Sequence, residues 1–248
     1  MTTQIAIIIA GAFVGAVITG GAGFAFAIVA TIVWVHVLTP PQTVMLAAAC
    51  ASTIHIASIW HFRKDIDYRR LWPFVLGSVF GAPLGVYALK FIRAEEFRLV
   101  VGAIIVAYSL FIAFRPKLHR IRLSDPAGKF ADAAVGWTSG ILGGASLLHG
   151  ILPTIWCVLR GWEKSEARAI YQPYIMFTGL YVMLLAGINI RTEVSTVAYL
   201  FLICMPALAA GFFVGMRIFD WMSEKLFMRL VLGFVFVSGV LLLADTLF

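Results

Sequence analysis

Eight apolar runs, at about 5–37, 43–62, 71–90, 97–114, 132–159, 169–189, 196–217 and 226–247, occupy most of this chain. Of its 248 residues, 62% are hydrophobic and 12% charged, with a mean hydropathy of +0.97. Soluble domains run at about 45–50% apolar and about 25% charged. Apolar stretches this long and this many read as membrane helices rather than one buried core. A membrane β-barrel needs segments of about ten residues with alternating polarity, and none is visible. The sequence predicts an all-α integral membrane protein.

Two of the runs are too long for one crossing. A helix of about 33 residues, such as 5–37, measures about 50 Å, against a hydrocarbon core of about 30 Å. That run is interrupted by Thr19-Gly20-Gly21-Ala22-Gly23, and run 132–159 by Gly143-Gly144-Ala145-Ser146. A shift of 123 positions lays Gly20-Gly21-Ala22 on Gly143-Gly144-Ala145. Further matches follow in order. Gly81-x-x-x-Gly85 matches Gly211-x-x-x-Gly215, and Phe97–Gly102 matches Met228–Gly233. The polar connection from Arg115 to Asp132 divides the halves. The expected organisation is a single polytopic membrane domain, 1–248, with one repeat at about 5–114 and a second at about 132–247.

Charge decides how the runs cross. If all eight span once, Lys and Arg divide ten to nine between the two sides. If 5–37 and 132–159 each fold back at their glycines into two arms of about 15 residues, the division becomes fifteen to four. Cytoplasmic loops carry the excess of Lys and Arg, which favours re-entrant hairpins. Each half is then a glycine-broken hairpin plus three transmembrane helices. Three is odd, so the two repeats are inverted. Both termini face outward, and the protein is multi-pass in the cell's inner (plasma) membrane. Met1-Thr2-Thr3-Gln4 lacks the basic n-region of a signal peptide, so residues 5 onward are read as mature structure. The net charge of +7 lies in short loops, where it meets lipid headgroups rather than nucleic acid. Cys50, Cys157 and Cys204 sit in apolar runs and read as small hydrophobes.

Backbone freed at a helix break inside a bilayer must be satisfied by protein or by a watery cavity. Glycine-broken segments at matching places in two halves point to a transporter's binding site. A second short helix starting near Gly21–Gly23 or Gly144–Ser146 aims its N–H groups and positive dipole end at the midplane, which suits a small anion. The candidate site is Thr19, Gly20, Gly21 and Gly23 from the first break, with Ser139, Gly143, Gly144 and Ser146 from the second. His149 follows the second break and could face the substrate or carry a coupled proton. Ser52, Thr53 and His55 on the second run, and Gln172 on the sixth, supply further polar groups. Packing alone, or hydroxyls bonded back to their own helices, accounts for the same residues without a ligand. Nearly every Asp and Glu falls in a loop, which argues against a cation site. The seven tryptophans sit mostly at run ends as an interfacial belt, with Trp156 deeper.

The glycine motif opening each half, Pro153 after the second copy and the basic loop His61-Phe62-Arg63-Lys64 together resemble the sulfite exporter TauE/SafE family. The resemblance covers nearly the whole chain. It implies movement of sulfite, an organosulfonate such as sulfoacetate, or a related small anion. Ala30 stands where the 123-residue shift puts Pro153, so the two half-sites are unequal. The expected activity is secondary transport, exporter-type, with no cofactor and no catalysis. Its partners are the anion, a coupled proton and membrane lipid. An anion channel on the same site, or an intramembrane enzyme using His55 or His149 as a base, are the competing readings. No P-loop, Gly-x-Ser-x-Gly, His-Glu-x-x-His or Rossmann fingerprint occurs.

Overall fold

A computed structural model describes residues 2–22, 25–62, 66–114, 121, 123–221 and 224–247. Among them, ten α-helices and one 3₁₀ turn at Arg191–Glu193 form, and no strand. The helices are α1 (Thr2–Ala22), α2 (Phe26–Trp34), α3 (Pro40–Phe62), α4 (Tyr68–Leu89), α5 (Ala94–Phe114), α6 (Asp125–Ser146), α7 (Ile151–Leu159), α8 (Lys164–Asn189), α9 (Val194–Trp221) and α10 (Glu224–Leu247). Six of them, α1, α4, α5, α8, α9 and α10, are long and apolar enough to cross a membrane. Large apolar side chains such as Phe80, Tyr87, Phe114, Leu202, Phe213 and Leu241 are exposed. Such a surface suits lipid and would associate in water. The chain is a multi-pass membrane protein.

The helix ends follow from local chemistry. Asp67 caps α4, its carboxylate accepting from the Arg70 amide at 3.2 Å. Glu163 and Glu166 form a capping box at the start of α8. Pro126 falls in the first turn of α6, where its missing N–H costs nothing. Pro73, Pro83, Pro173 and Pro206 lie inside α4, α8 and α9, which membrane helices tolerate when neighbours satisfy the freed carbonyls.

The chain divides into two compact units that interleave along the sequence. The first unit holds α1, α2, the start of α3, α5, α9 and α10; the second holds the rest of α3, α4, α6, α7 and α8. Within the first, α1 lies along α9 and α5 along α10. Trp34 is fully buried here, and its indole N–H donates to the Ile8 carbonyl at 3.0 Å. It is a core residue of this unit rather than a member of an interfacial belt. Cys50 and Cys204 are buried with their thiols in hydrogen-bond contact. Their separation along the chain gave no sign of that. Within the second unit, α4 lies along α6 and also packs on α8.

The same glycine contact builds both units. A Cβ on Gly81 would sit 2.1 Å from the Trp137 carbonyl oxygen, and one on Gly85 2.1 Å from that of Ile141. From the other side, a Cβ on Gly144 would meet the Ala82 oxygen at 2.3 Å. In the first unit, Gly211 meets Phe13 at 2.5 Å, Gly215 meets Val17 at 2.0 Å, and Gly20 meets Phe212 at 2.5 Å. Phe13, Val17 and Gly20 lie 124 positions before Trp137, Ile141 and Gly144, and Gly81, Ala82 and Gly85 lie 130 before Gly211, Phe212 and Gly215. Contact therefore pairs Gly20 with Gly144, one residue from the 123-position sequence match.

The breaks differ from the expected ones. α1 runs 21 residues and α6 runs 22, while α2 and α7 have nine each. The arms are long and short rather than two equal pieces; Gly20 and Gly21 lie within α1, Gly143 and Gly144 lie within α6, and Gly23 is outside the described residues. α6 ends at Leu147, in the left-handed region at φ 59°, and Ala25 before α2 stands at φ 85°. Neither is glycine. A side-chain-bearing residue held there costs about 1–3 kcal/mol and persists only where its surroundings require it. Pro153 is the third residue of α7, and the third residue of α2 is Ile28.

Candidate functional site

The break between α6 and α7, residues 147–150, holds a buried histidine. His149 lies in the break itself, just ahead of α7 and not a turn or two into it, and is 2% exposed. Its Nε2 sits 3.0 Å from the Ile175 carbonyl oxygen on α8. A carbonyl can only accept, so Nε2 donates and the neutral ring carries its lone pair on Nδ1. Nδ1 points to the Leu147 backbone without meeting hydrogen-bond geometry. The Ser139 hydroxyl donates to the His149 carbonyl and fixes the loop from α6. Gly143 lies under the ring, since a Cβ there would meet the His149 Cβ at 2.9 Å. Tyr174 of α8 tilts against the imidazole at 6.3 Å between centroids.

Across from this loop stands α3. Ser52 and His55 are buried there, and the Ser52 hydroxyl makes no hydrogen bond. His55 is close enough to His149 for the two rings to interact electrostatically. Gly179 of α8 lies where the two groups converge. A Cβ on it would sit 3.2 Å from Ser52 Oγ and 3.9 Å from both Cε1 and Nε2 of His149. The absent side chain keeps the space between the hydroxyl and the imidazole open. Thr178 beside it donates to Ser78 Oγ at 3.2 Å, and the Tyr174 hydroxyl donates to the Gly136 carbonyl at 3.4 Å. These bonds tie α8 to α4 and α6.

The structure thus brings together Ser52, His55, Ser139, Gly143 and His149. Thr53 is half-buried on the same helix, and Gln172 is buried on α8, one turn before Ile175. Other expected members are occupied elsewhere. Gly144 and Gly20 are closed by α4 and α9 backbone and act as packing positions. Thr19 and Ser146 donate back to Gly15 and Leu142 of their own helices, at 2.8 Å and 2.9 Å, and have no proton left for an anion. Gly21 lies within α1, and Gly23 is outside the described residues.

The N-terminus of α7 offers less than expected. Ile151 N–H donates to Leu148, Thr154 N–H donates to Gly150, and Pro153 has no N–H. Of the first four positions only Leu152 remains, so side chains rather than a helix end dominate this site. Among the buried polar residues, Asp132 is the one that carries a carboxylate. It sits two turns into α6, although in the sequence it closes a polar loop. Among the described residues, no group of His, Cys, Asp or Glu is arranged to hold a metal ion.

Sequence reasoning missed Gly179, Thr178 and Ser78. Each is a small or hydroxyl-bearing residue in an apolar helix, and only the packing of three helices reveals what it faces.

Comparison with known proteins gives one match. Residues 7–242 match the family described as sulfite exporter TauE/SafE. No curated protein and no solved structure matches. The match takes in all of α2 to α9 and most of α1 and α10, and the multi-pass helical architecture accords with a membrane transporter family. The chain belongs to the sulfite exporter TauE/SafE family of membrane transporters.

Proposed function

We propose that this protein is a secondary transporter that carries a small anion, sulfite or an organosulfonate, together with a proton. The anion binds in the second unit between Ser52 and His149, in the space that Gly179 leaves open. One observation carries this reading. The Ser52 hydroxyl is buried without a hydrogen bond, and it lies beside Gly179, whose bare Cα also faces Cε1 and Nε2 of the buried His149 ring. An unsatisfied buried polar group costs about 1–3 kcal/mol, so an unpartnered hydroxyl beside a buried imidazole calls for a ligand.

The tautomer supplies the coupling. With Nε2 committed to Ile175, the ring takes up a further proton at Nδ1, on the side of Leu147 and Gly143. That proton gives the imidazole a positive charge beside the space where the anion binds. Proton and anion therefore favour each other, and the pair crosses as one. Neutral donors such as Ser52 hold the anion without the desolvation cost of a second fixed charge.

The inverted-repeat reading supports alternating access. The matching glycine contacts of α4 on α6 and α9 on α1 are what two inverted copies of one fold would make, and α2 and α7 are the half-length arms of the two broken hairpins. The fifteen-to-four division of basic residues supports an orientation with both termini outside. Flux of sulfite into proteoliposomes at two external pH values tests the transport reading. Uptake should saturate and should rise as pH falls in the wild type. Ser52→Ala should lower it about tenfold, the equivalent of one lost charge-assisted hydrogen bond. Equal uptake by empty and protein-bearing vesicles refutes it.

A further inference from the structure

A cavity of about 300 Å³ opens in the second unit where the starts of α4 and α6 meet the α7–α8 connection. That is room for about ten waters at ~30 Å³ each. Its lining is charged. Arg69 and Lys129 reach Asp125 at 3.5 Å and 4.0 Å, and those three are largely solvated. Arg70 is held by Asp67 at 3.4 Å and Glu166 at 3.5 Å. Arg160 is different. Its side chain is 15% exposed, and its Nη1 is buried with no hydrogen bond.

The geometry explains why. The nearest carboxylate is Asp132, with Oδ1 3.9 Å from Arg160 Nη1, beyond hydrogen-bond reach. That same oxygen accepts from the Trp156 indole N–H at 2.6 Å, which holds the carboxylate off the guanidinium. The guanidinium lies between two indole rings, 5.9 Å from Trp156 and 5.4 Å from Trp162. Gly128 of α6 lies alongside, since a Cβ there would sit 3.0 Å from Nη1 and 3.1 Å from Nη2. A planar cation is thus fixed in place by rings and glycine and neutralised at a distance, and it lines the cavity with its Nη1 donor capacity unused. Arginine in that state is a fork for an oxyanion bearing at least two oxygens.

We propose that Arg160 is the docking residue of a second oxyanion site, separate from the space around Gly179, with Asp132 as the built-in anion against which the ligand competes. It takes its ligand class from the transport reading but rests on its own geometry. A small oxyanion such as sulfite bridges Nη1 and Nη2 on the cavity side. Asp132 keeps the empty cation neutral enough to stay buried and weakens the site enough to release the ligand. An anionic lipid headgroup shares this chemistry, but the inset, part-buried Arg160 favours the small free ion.

The test is sulfite binding by titration calorimetry on the full-length protein in nanodiscs. The background is Ser52→Ala with His149→Gln, so that the space around Gly179 does not contribute. Sulfite should still bind. Arg160→Lys keeps the charge opposite Asp132 and so preserves folding, yet loses the fork and should weaken binding about tenfold. Asp132→Asn keeps an acceptor for Trp156 and removes the competing charge, so affinity should rise several-fold. Gly128→Ala should crowd the guanidinium and weaken binding. No binding in this background, or weaker binding in Asp132→Asn, overturns the proposal, because a purely structural ion pair loses by either change. Binding in phosphatidylcholine discs that disappears in phosphatidylglycerol discs also overturns it, since the lipid headgroup is then the occupant. Loss of transport in Ser52→Ala leaves this result untouched, so the two readings fail separately.

Discussion

Gly179 has no side chain, and that absence defines the candidate site. Its missing Cβ would stand 3.2 Å from Ser52 Oγ, tighter than an ordinary contact. Gly179→Ala should therefore fold, because only a hydroxyl must give way, and should lose anion transport about tenfold or more while its melting temperature holds. That pairing of results, read by flux and by thermal unfolding, separates a ligand space from a packing position. Substitution of Gly144 should do the reverse. The Gly144 Cβ lands 2.3 Å from a backbone oxygen of α4, which cannot move without shifting the helix. His149 and Ser52 were legible in the sequence because polar side chains in apolar runs are rare and costly. Gly179 was not, since one glycine among twenty-two carries no mark of the helices it faces.

At the scale of elements, glycine proves to be a packing device first. Gly81, Gly85 and Gly144 let α4 and α6 meet backbone to backbone, as Gly211, Gly215 and Gly20 do for α9 and α1. Alanine at Gly144 or Gly20 should cost about 1–3 kcal/mol by overpacking. Alanine at Gly187 or Gly233, where nothing lies within 4 Å, should be neutral or stabilising by up to about 1 kcal/mol. Denaturation of the four variants side by side checks the contrast, and equal effects would remove the packing argument. The glycine pattern pointed to segments where helices end, yet Gly20, Gly21, Gly143 and Gly144 themselves stay helical. Ala25 and Leu147 take the left-handed backbone instead. Composition cannot reveal this, because the surroundings and not the residue impose that conformation. Leu147 sits in the loop that holds His149 against Ile175, so its strain belongs to the site. The register also moved by one, from 123 to 124, since the sequence match aligned like letters and the helices align contacts.

For the whole molecule, apolar content and charge distribution fixed the class of protein before any contact was known. The two compact units were not legible. They interleave along the chain, with the glycine-bearing helix of each half packed on a helix of the other half. Contacts so distant in sequence leave no local signal. Topology is directly measurable because Cys50, Cys157 and Cys204 are all buried, which keeps labelling background low. A cysteine introduced at Thr2 should react with an impermeant reagent from outside, and one at Ser124 should not. Reaction at Ser124 alone would reverse the orientation derived from the basic loops.

The central claim is that anion and proton bind together at His149. Titration of purified protein with sulfite in two buffers of different ionisation heat counts the protons taken up per anion bound. The account predicts about one proton more for the wild type than for His149→Gln under identical conditions, where sulfite's own buffering and any binding at Arg160 are common to both proteins. The same proton count in both would contradict it.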